Sequence, residues 1–141
     1  MAAGDLTFVD TNVLVYAHDR SEIRKQPVAR ALLEDLWAAR TGVLSTQILQ
    51  EFYVVATRKF DPPMSRPIAR EIVGLYATWR LVRVDLPLIL TASQLEEQQK
   101  LSFLDALVIE AAARSGASHL VSEDLQDGRV FGAVRIRNPF A

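Results

Sequence analysis

The chain has 141 residues, of which 50% are hydrophobic and 23% are charged, a balance that predicts one folded domain and excludes a disordered chain. Its 16 Lys+Arg and 17 Asp+Glu give a formal net charge of -1, so bulk charge does not indicate a nucleic-acid partner. The absence of cysteine excludes disulfides and thiolate metal sites. The opening segment MAAGDLTFVD has no signal-peptide pattern, and no apolar run approaches the ~18 residues of a membrane helix. We therefore expect a cytoplasmic protein without a membrane segment.

Short apolar segments alternate with segments of helical periodicity along the chain. In chain order, strands are expected at residues 6–9, 43–44, 81–84, 119–121 and 134–136. The intervening helices are expected at residues 11–18, from near Pro27 to a C-cap at Gly42, at 46–59, from a cap at Ser65 to about Trp79, at 88–100, and at 103–114 before Gly116. This alternation predicts an α/β fold with a parallel sheet and helices on both faces. No repeat or linker divides the chain, so residues 1–141 are expected to form a single domain.

Acidic residues occur where this fold would expose them at one edge of the sheet. Asp10 directly follows the first predicted strand, and Asp124 lies three residues after the strand that ends at Val121. Asp105 is in the first turn of its helix, and Glu51 lies at the margin of an apolar helical stripe. Because ligands of such folds bind beyond the carboxyl ends of the strands, these four carboxylates are candidates for one site.

Four carboxylates at one place would require a cation. Two unit charges about 4 Å apart repel by roughly 4 kcal/mol at an effective dielectric near 20, and four acids contain several such pairs. Oxygen ligands without His or Cys favour Mg²⁺, or Mn²⁺, over zinc. A site of this kind suits phosphodiester hydrolysis by a metal-activated water.

Each acid also has a structural interpretation. Ser102 and Asp105 form a capping box, in which an acid of the first turn is favoured by the helix dipole. Asp124 and Asp127 lie in the turn-like segment SEDLQDG, and Glu51 could be a solvated helix residue. Asp10 is the hardest to explain in this way, because it interrupts an apolar run at the end of a buried strand.

The ordered segments FVDTNVLVYA, TQILQEF, LSFLDALVIEAA and LVSEDLQDG resemble the acidic motifs of PIN-domain ribonucleases, in particular the VapC toxins of bacterial toxin-antitoxin pairs. The resemblance covers essentially the whole chain. It implies a three-layer α/β/α sandwich with a short-stranded, mostly parallel central sheet, and Mg²⁺-dependent cleavage of RNA. It also implies a homodimer and inhibition by a cognate VapB-type antitoxin.

Carried over residue by residue, the resemblance places Asp10, Glu51, Asp105 and Asp124 at the catalytic and metal-binding positions. It places Thr11 and Asn12 at supporting polar positions beside the first acid. Glu123 and Asp127 are close enough in sequence to take the place of Asp124.

Binding of RNA would need a local basic patch, for which residues around the break at Asp61-Pro62-Pro63 are candidates: Arg58, Lys59, Arg66 and Arg70. Alternatively, these charged residues could simply lie on helix faces that are exposed to solvent. An alternative to the enzyme is a non-catalytic, Mg²⁺-binding interaction module, which metal-dependent turnover would exclude.

Overall fold

The computed structural model describes residues 5–141. Residues 1–4, which begin the segment considered above for a signal peptide, lie outside the described range. The elements in chain order are β1 (Thr7–Val9), α1 (Thr11–His18), α2 (Lys25–Ala39), β2 (Gly42–Ser45), α3 (Thr46–Arg58), α4 (Arg66–Tyr76), β3 (Arg80–Val82), α5 (Leu86–Gln99), α6 (Phe103–Ser115), β4 (His119–Val121), β5 (Val130–Phe131) and β6 (Val134–Arg137).

The strands form one sheet in the order β3-β2-β1-β4-β6-β5, in which β5 alone of the described strands is antiparallel to its neighbour. The chain moves outward from β1 through β2 to β3, and then returns to add β4 on the other side of β1. The strand order therefore reverses between β1 and β4. In an open α/β sheet, the crevice beyond the carboxyl ends of the strands at such a reversal is the usual ligand site.

Helices cover both faces of the sheet. Helix α1 packs on α2 and α3, and α3 packs on α4. In a second group, α5 packs on α6. Strand β2 contacts α2 and α3 from the first group and α6 from the second. All four residues of β2 are buried, as expected for a strand covered on both faces. The predicted α/β/α sandwich with a mostly parallel sheet is confirmed.

Side-chain caps determine where several helices begin. Ser45, Ser65, Asp85 and Ser102 each have an extended backbone and accept a hydrogen bond from the backbone N–H three residues later. The last of these is the Ser102 half of the predicted capping box, in which Asp105 N donates to Ser102 Oγ at 3.1 Å. Such caps satisfy backbone donors that the first turn of a helix leaves unpaired.

Several predicted boundaries were wrong. Helix α2 ends before Arg40, which adopts a left-handed conformation (φ 58°), whereas Gly42 is the first residue of β2. Helix α4 ends at Tyr76 rather than near Trp79, and β3 covers Arg80–Val82 instead of residues 81–84. The two-residue strand β5 was not predicted, because so short a segment has no periodicity to detect.

Candidate active site

Asp10 is the residue at the reversal of strand order. It follows β1 and caps α1, with its Oδ1 accepting from Thr11 N at 2.7 Å. Its Oδ2 accepts a hydrogen bond of 2.7 Å from the hydroxyl of Ser122, the residue that follows β4. Only 6% of Asp10 is exposed, and Ser122 is completely buried. The carboxylate thus joins the ends of the two central strands.

Burial makes the charge of Asp10 costly and raises the pKa of its carboxyl from 3.8 to about 6. The hydrogen bonds from Ser122 and Thr11 act in the opposite direction, since they favour the ionised form. The negative charges of Asp124 and Asp105 raise the pKa further. These two acids, from segments distant in sequence, are therefore close enough to Asp10 to act on it.

Glu51 reaches the same edge from α3. Its Oε1 accepts a hydrogen bond of 2.6 Å from the hydroxyl of Thr11. Gln47, one turn earlier on α3, donates to Glu51 Oε2 at 3.5 Å and to Leu104 O at 3.3 Å. The Oε1 atom of Gln47 is buried and has no hydrogen-bond partner within residues 5–141.

Asp124 is held by hydrogen bonds to Asn12 and Ser122. Its Oδ2 accepts a hydrogen bond of 3.0 Å from Asn12 Nδ2, and its backbone N–H donates to Ser122 Oγ at 3.2 Å. Asn12 Oδ1 in turn accepts from the backbone N–H of Glu123 at 3.2 Å. Thr11 thus bonds to an acid of α3, and Asn12 bonds to an acid of the loop after β4.

The two alternatives to Asp124 are engaged elsewhere. Glu123 forms an ion pair with Lys25 and accepts a hydrogen bond of 2.6 Å from the hydroxyl of Tyr16. Although its partial burial opposes the effect, these two hydrogen bonds hold the pKa of Glu123 below its ordinary value. Asp127 accepts from the backbone N–H of Asn138 at 2.9 Å, and so links the loop before β5 to the residue after β6. Asp124 is the member of this segment whose carboxylate bonds to Asn12 and whose charge also acts on Asp10.

Most of the predicted basic patch lies away from this edge. Helix α3 begins at Thr46, immediately after β2, and Arg58 is twelve residues further on, about 18 Å along the helix axis. Lys59 and Arg66 are also exposed near that far end. Arg70 is closer, because it lines a groove whose wall includes Thr46.

The donor chemistry of the edge fits a hard divalent cation. All candidate ligands are oxygens, and one of them, the buried Asp10 carboxylate, would be stabilised in its ionised form by a positive charge. Within residues 5–141, no three acidic or histidine side chains are already close enough to hold an ion together. Glu51 Oε1 accepts a hydrogen bond from Thr11, and Asp124 Oδ2 accepts one from Asn12. The acids would have to move closer together to share an ion.

Sequence reasoning missed Ser122, Lys25 and Tyr16 as parts of this network. Ser122 was available as the residue after a predicted strand, but its pairing with Asp10 depends on β1 and β4 being neighbours. No local sequence pattern indicates that Lys25 pairs with Glu123, because the two residues are 98 positions apart.

These features define an open α/β protein with an acidic cluster beyond the carboxyl ends of its two central strands. The family model of the PIN domain matches residues 7–130, most of the chain. The chain therefore belongs to the PIN domain family. A search of curated protein sequences finds no match.

Solved structures show the same fold. VapC20 of Mycobacterium tuberculosis, a sarcin-ricin-loop-cleaving toxin, aligns with a TM-score of 0.62 and 20% identity, over 81% of this chain and 86% of that chain. A toxin-antitoxin complex from Klebsiella pneumoniae aligns with a TM-score of 0.69 and 18% identity, over 94% of this chain and 97% of the other. A chain of FitAB bound to an IR36 DNA fragment aligns with a TM-score of 0.69 and 18% identity, over 96% of this chain and 96% of that chain.

Proposed function

We propose that this PIN-domain protein is a metal-dependent endoribonuclease and the toxin of a type II toxin-antitoxin pair. The observation that carries the proposal is the Asp10 carboxylate, buried at the reversal of strand order within the field of Asp105 and Asp124. Folding brings these charges together at a cost, and a bound cation would remove that cost. Perturbed acids in the ligand crevice of an α/β fold are typical of catalytic sites.

The residues that would hold the cation are Asp10, Asp105, Asp124 and Glu51, with Mg²⁺ as the proposed ion and Mn²⁺ as a substitute. When bound, the ion would supply an activated water and neutralise charge at the scissile phosphodiester. Ser122 and Thr11 N–H keep Asp10 ionised and oriented. The hydroxyl of Thr11 fixes Glu51, and the amide of Asn12 fixes Asp124. These polar groups orient the acids as hydrogen-bonded neighbours of ligands do in metal sites.

RNA is the proposed substrate, in a cytoplasmic setting, with a VapB-type antitoxin and a second copy of the chain as the proposed partners. VapC20 is a toxin that cleaves the sarcin-ricin loop, and the Klebsiella pneumoniae structure is a toxin-antitoxin complex, which supports this assignment by fold. Exposed apolar side chains on the outer helices offer surface for protein contacts, among them Ile68, Leu75, Leu86, Ile89 and Leu90. Within residues 5–141, no helix has the length and apolar character to cross a bilayer.

The experiment that tests the proposal compares the parent chain with Asp10→Asn and Asp105→Asn on total cellular RNA, with Mg²⁺ and with EDTA. Asp35→Asn is the matched control, because Asp35 is an exposed carboxylate on α2. We expect discrete fragments from the parent and from Asp35→Asn in Mg²⁺, and none from the site variants or in EDTA. Equal behaviour of all four proteins, with Mg²⁺ binding retained by the parent, would favour the non-catalytic interaction module.

A further inference from the structure

Glu123 lies at the centre of a small cluster next to the acidic edge. It receives the Lys25 ammonium from the start of α2 and the Tyr16 hydroxyl from α1. The Lys25 Nζ also lies 4.8 Å from the centre of the Tyr16 ring and 5.8 Å from that of Phe140. The two rings meet edge to face with their centres 5.3 Å apart. Lys25 is thus held by a carboxylate and two aromatic rings.

This environment distinguishes the ion pair from the other one found in residues 5–141. The side chains of Lys25 and Glu123 are 21% and 25% exposed, whereas those of Arg114 and Asp85 are 38% and 53% exposed. Exposed ion pairs contribute little to stability because water and salt screen them. A lysine packed on aromatic rings has fewer conformations and additional cation–π attraction.

A continuous set of hydrogen bonds leads from this cluster to Asp124. The backbone N–H of Glu123 donates to Asn12 Oδ1 at 3.2 Å, and Asn12 Nδ2 donates to Asp124 Oδ2 at 3.0 Å. The backbone N–H of Asp124 bonds to Ser122 Oγ, which also donates to Asp10. The side chain of Glu123 is therefore anchored to α1 and α2 while its backbone sets the position of the next residue. Without that anchor, Asp124 would still bond to Ser122 and Asn12, but the residue before it would lose its side-chain contacts with α1 and α2.

We infer that Lys25 is a positioning residue, which acts through Glu123 to hold Asp124 beside Asp10 for cation binding. The inference rests on the proposed function, because it assigns a role in the same metal site. Lys25 is not a ligand itself, and its ion pair also keeps Glu123 from competing for the cation. Removal of groups that orient metal ligands typically lowers metal affinity 10- to 100-fold.

The test measures binding of Mn²⁺ alone by titration calorimetry, so that its readout does not depend on RNA cleavage. Lys25→Met keeps much of the aliphatic stem and loses the charge, Lys25→Arg restores the charge, and Arg114→Met breaks the other ion pair as a control. We expect a roughly 10-fold higher Kd for Lys25→Met, partial rescue in Lys25→Arg, and the parental value in Arg114→Met. Thermal unfolding of each variant identifies a protein that has lost its fold.

A second measurement asks whether Lys25 acts through Asp124. In an Asp124→Asn background, Lys25→Met should cause no further loss of Mn²⁺ affinity, since the residue that it positions is no longer a strong ligand. Additive losses would overturn the inference, as would a parental Kd in the Lys25→Met single variant. If the parent itself bound no Mn²⁺, the proposed function would fail together with the inference. A parent that binds and a Lys25→Met variant that binds equally well would overturn the inference alone.

Discussion

At the scale of single residues, the burial of Asp10 predicts how its substitution changes the free energy of unfolding. Its pKa is raised to about 6 in the folded chain, mainly by burial, so the native state holds its proton more tightly than the unfolded chain does. Protonation of Asp10 therefore favours the native state. This contribution to the free energy of unfolding is complete below pH 3.8 and is lost as the pH rises through about 6. The change of about two pKa units corresponds to about 3 kcal/mol. Without metal, Asp10→Asn should therefore unfold with a free energy up to about 3 kcal/mol higher at pH 7.5.

Urea denaturation in EDTA at pH 7.5 and at pH 3.5 measures this difference. Most of the advantage of Asp10→Asn should disappear at the lower pH, where the parent carboxyl is mostly protonated in both states. Asp35→Asn, at an exposed position, should match the parent at both pH values. A variant that is less stable than the parent at pH 7.5 would show that Asp10 is needed for folding, against this account.

Ser122 makes a separate prediction about the pH dependence of the site. Its hydroxyl lowers the pKa of Asp10 by donating to the ionised carboxylate, so Ser122→Ala should raise that pKa further. The acidic limb of the pH–rate profile for RNA cleavage should then move to higher pH. Ser115→Ala is the control, because Ser115 bonds to a carbonyl at the end of α6. If the acidic limb did not shift in Ser122→Ala, the protonation of Asp10 would not be what limits the rate of cleavage at low pH.

The candidate site was predictable from sequence only in part, because several of its contacts join residues that are far apart in the chain. An acid that follows a buried strand, such as Asp10, can be recognised from the apolar run around it. Its partner Ser122 is 112 residues away, and their contact exists because β1 and β4 are neighbours. Likewise, Lys25 and Glu123 are 98 residues apart and meet where α2 begins beside the loop after β4. Such pairings follow from strand order, which local periodicity does not specify.

At the scale of elements, the approach of β2 to β3 depends on a glycine. A Cβ at Gly42 would come within 2.3 Å of the Trp79 ring, which packs over the start of β2. Gly42→Ala should therefore force the indole or the strand to move, at a cost of about 1–3 kcal/mol in unfolding free energy. Urea denaturation followed by tryptophan fluorescence measures this loss.

Gly74 provides the matched comparison. It lies within α4, and a Cβ there meets no atom within 4 Å. Gly74→Ala should raise the unfolding free energy by about 0.5–1 kcal/mol, because alanine loses less conformational freedom in a helix than glycine does. Equal effects of the two substitutions would mean that the close approach of Trp79 to Gly42 does not limit stability.

The elements themselves were largely predictable because caps and periodicity are local properties. The predicted strand 119–121 has the observed bounds, and Ser65 and Ser102 cap the helices for which they were chosen. Gly42 was wrongly placed as a helix C-cap, since glycine is typical of that position. Its actual role is to admit the ring of Trp79, a contact between distant residues that no local pattern reveals.

At the scale of the whole molecule, a net charge of -1 gives no general attraction to RNA, so affinity must come from a local patch. Arg58, Lys59, Arg66 and Arg70 remain the predicted patch, and all four are exposed. The start of α3 at the acidic edge is separated from Arg58 by about 18 Å along the helix. At about 3.4 Å per stacked nucleotide, RNA that contacts both places needs roughly five nucleotides between them.

This distance predicts that cleavage depends on the length of RNA beside the cut. In a series of synthetic single strands, kcat/KM should rise until roughly five nucleotides flank the scissile bond and change little thereafter. The double variant Arg58→Glu/Arg66→Glu, which changes two exposed residues at the far end, should weaken binding and flatten this dependence on length, while its activity on the shortest RNA stays near the parental value. Arg30→Glu/Arg40→Glu, which reverses two exposed charges of α2 and its C-cap, should retain the dependence. If instead the α2 variant lost the dependence and the patch variant kept it, RNA would approach the acidic edge across α2, and the patch would have to be reassigned.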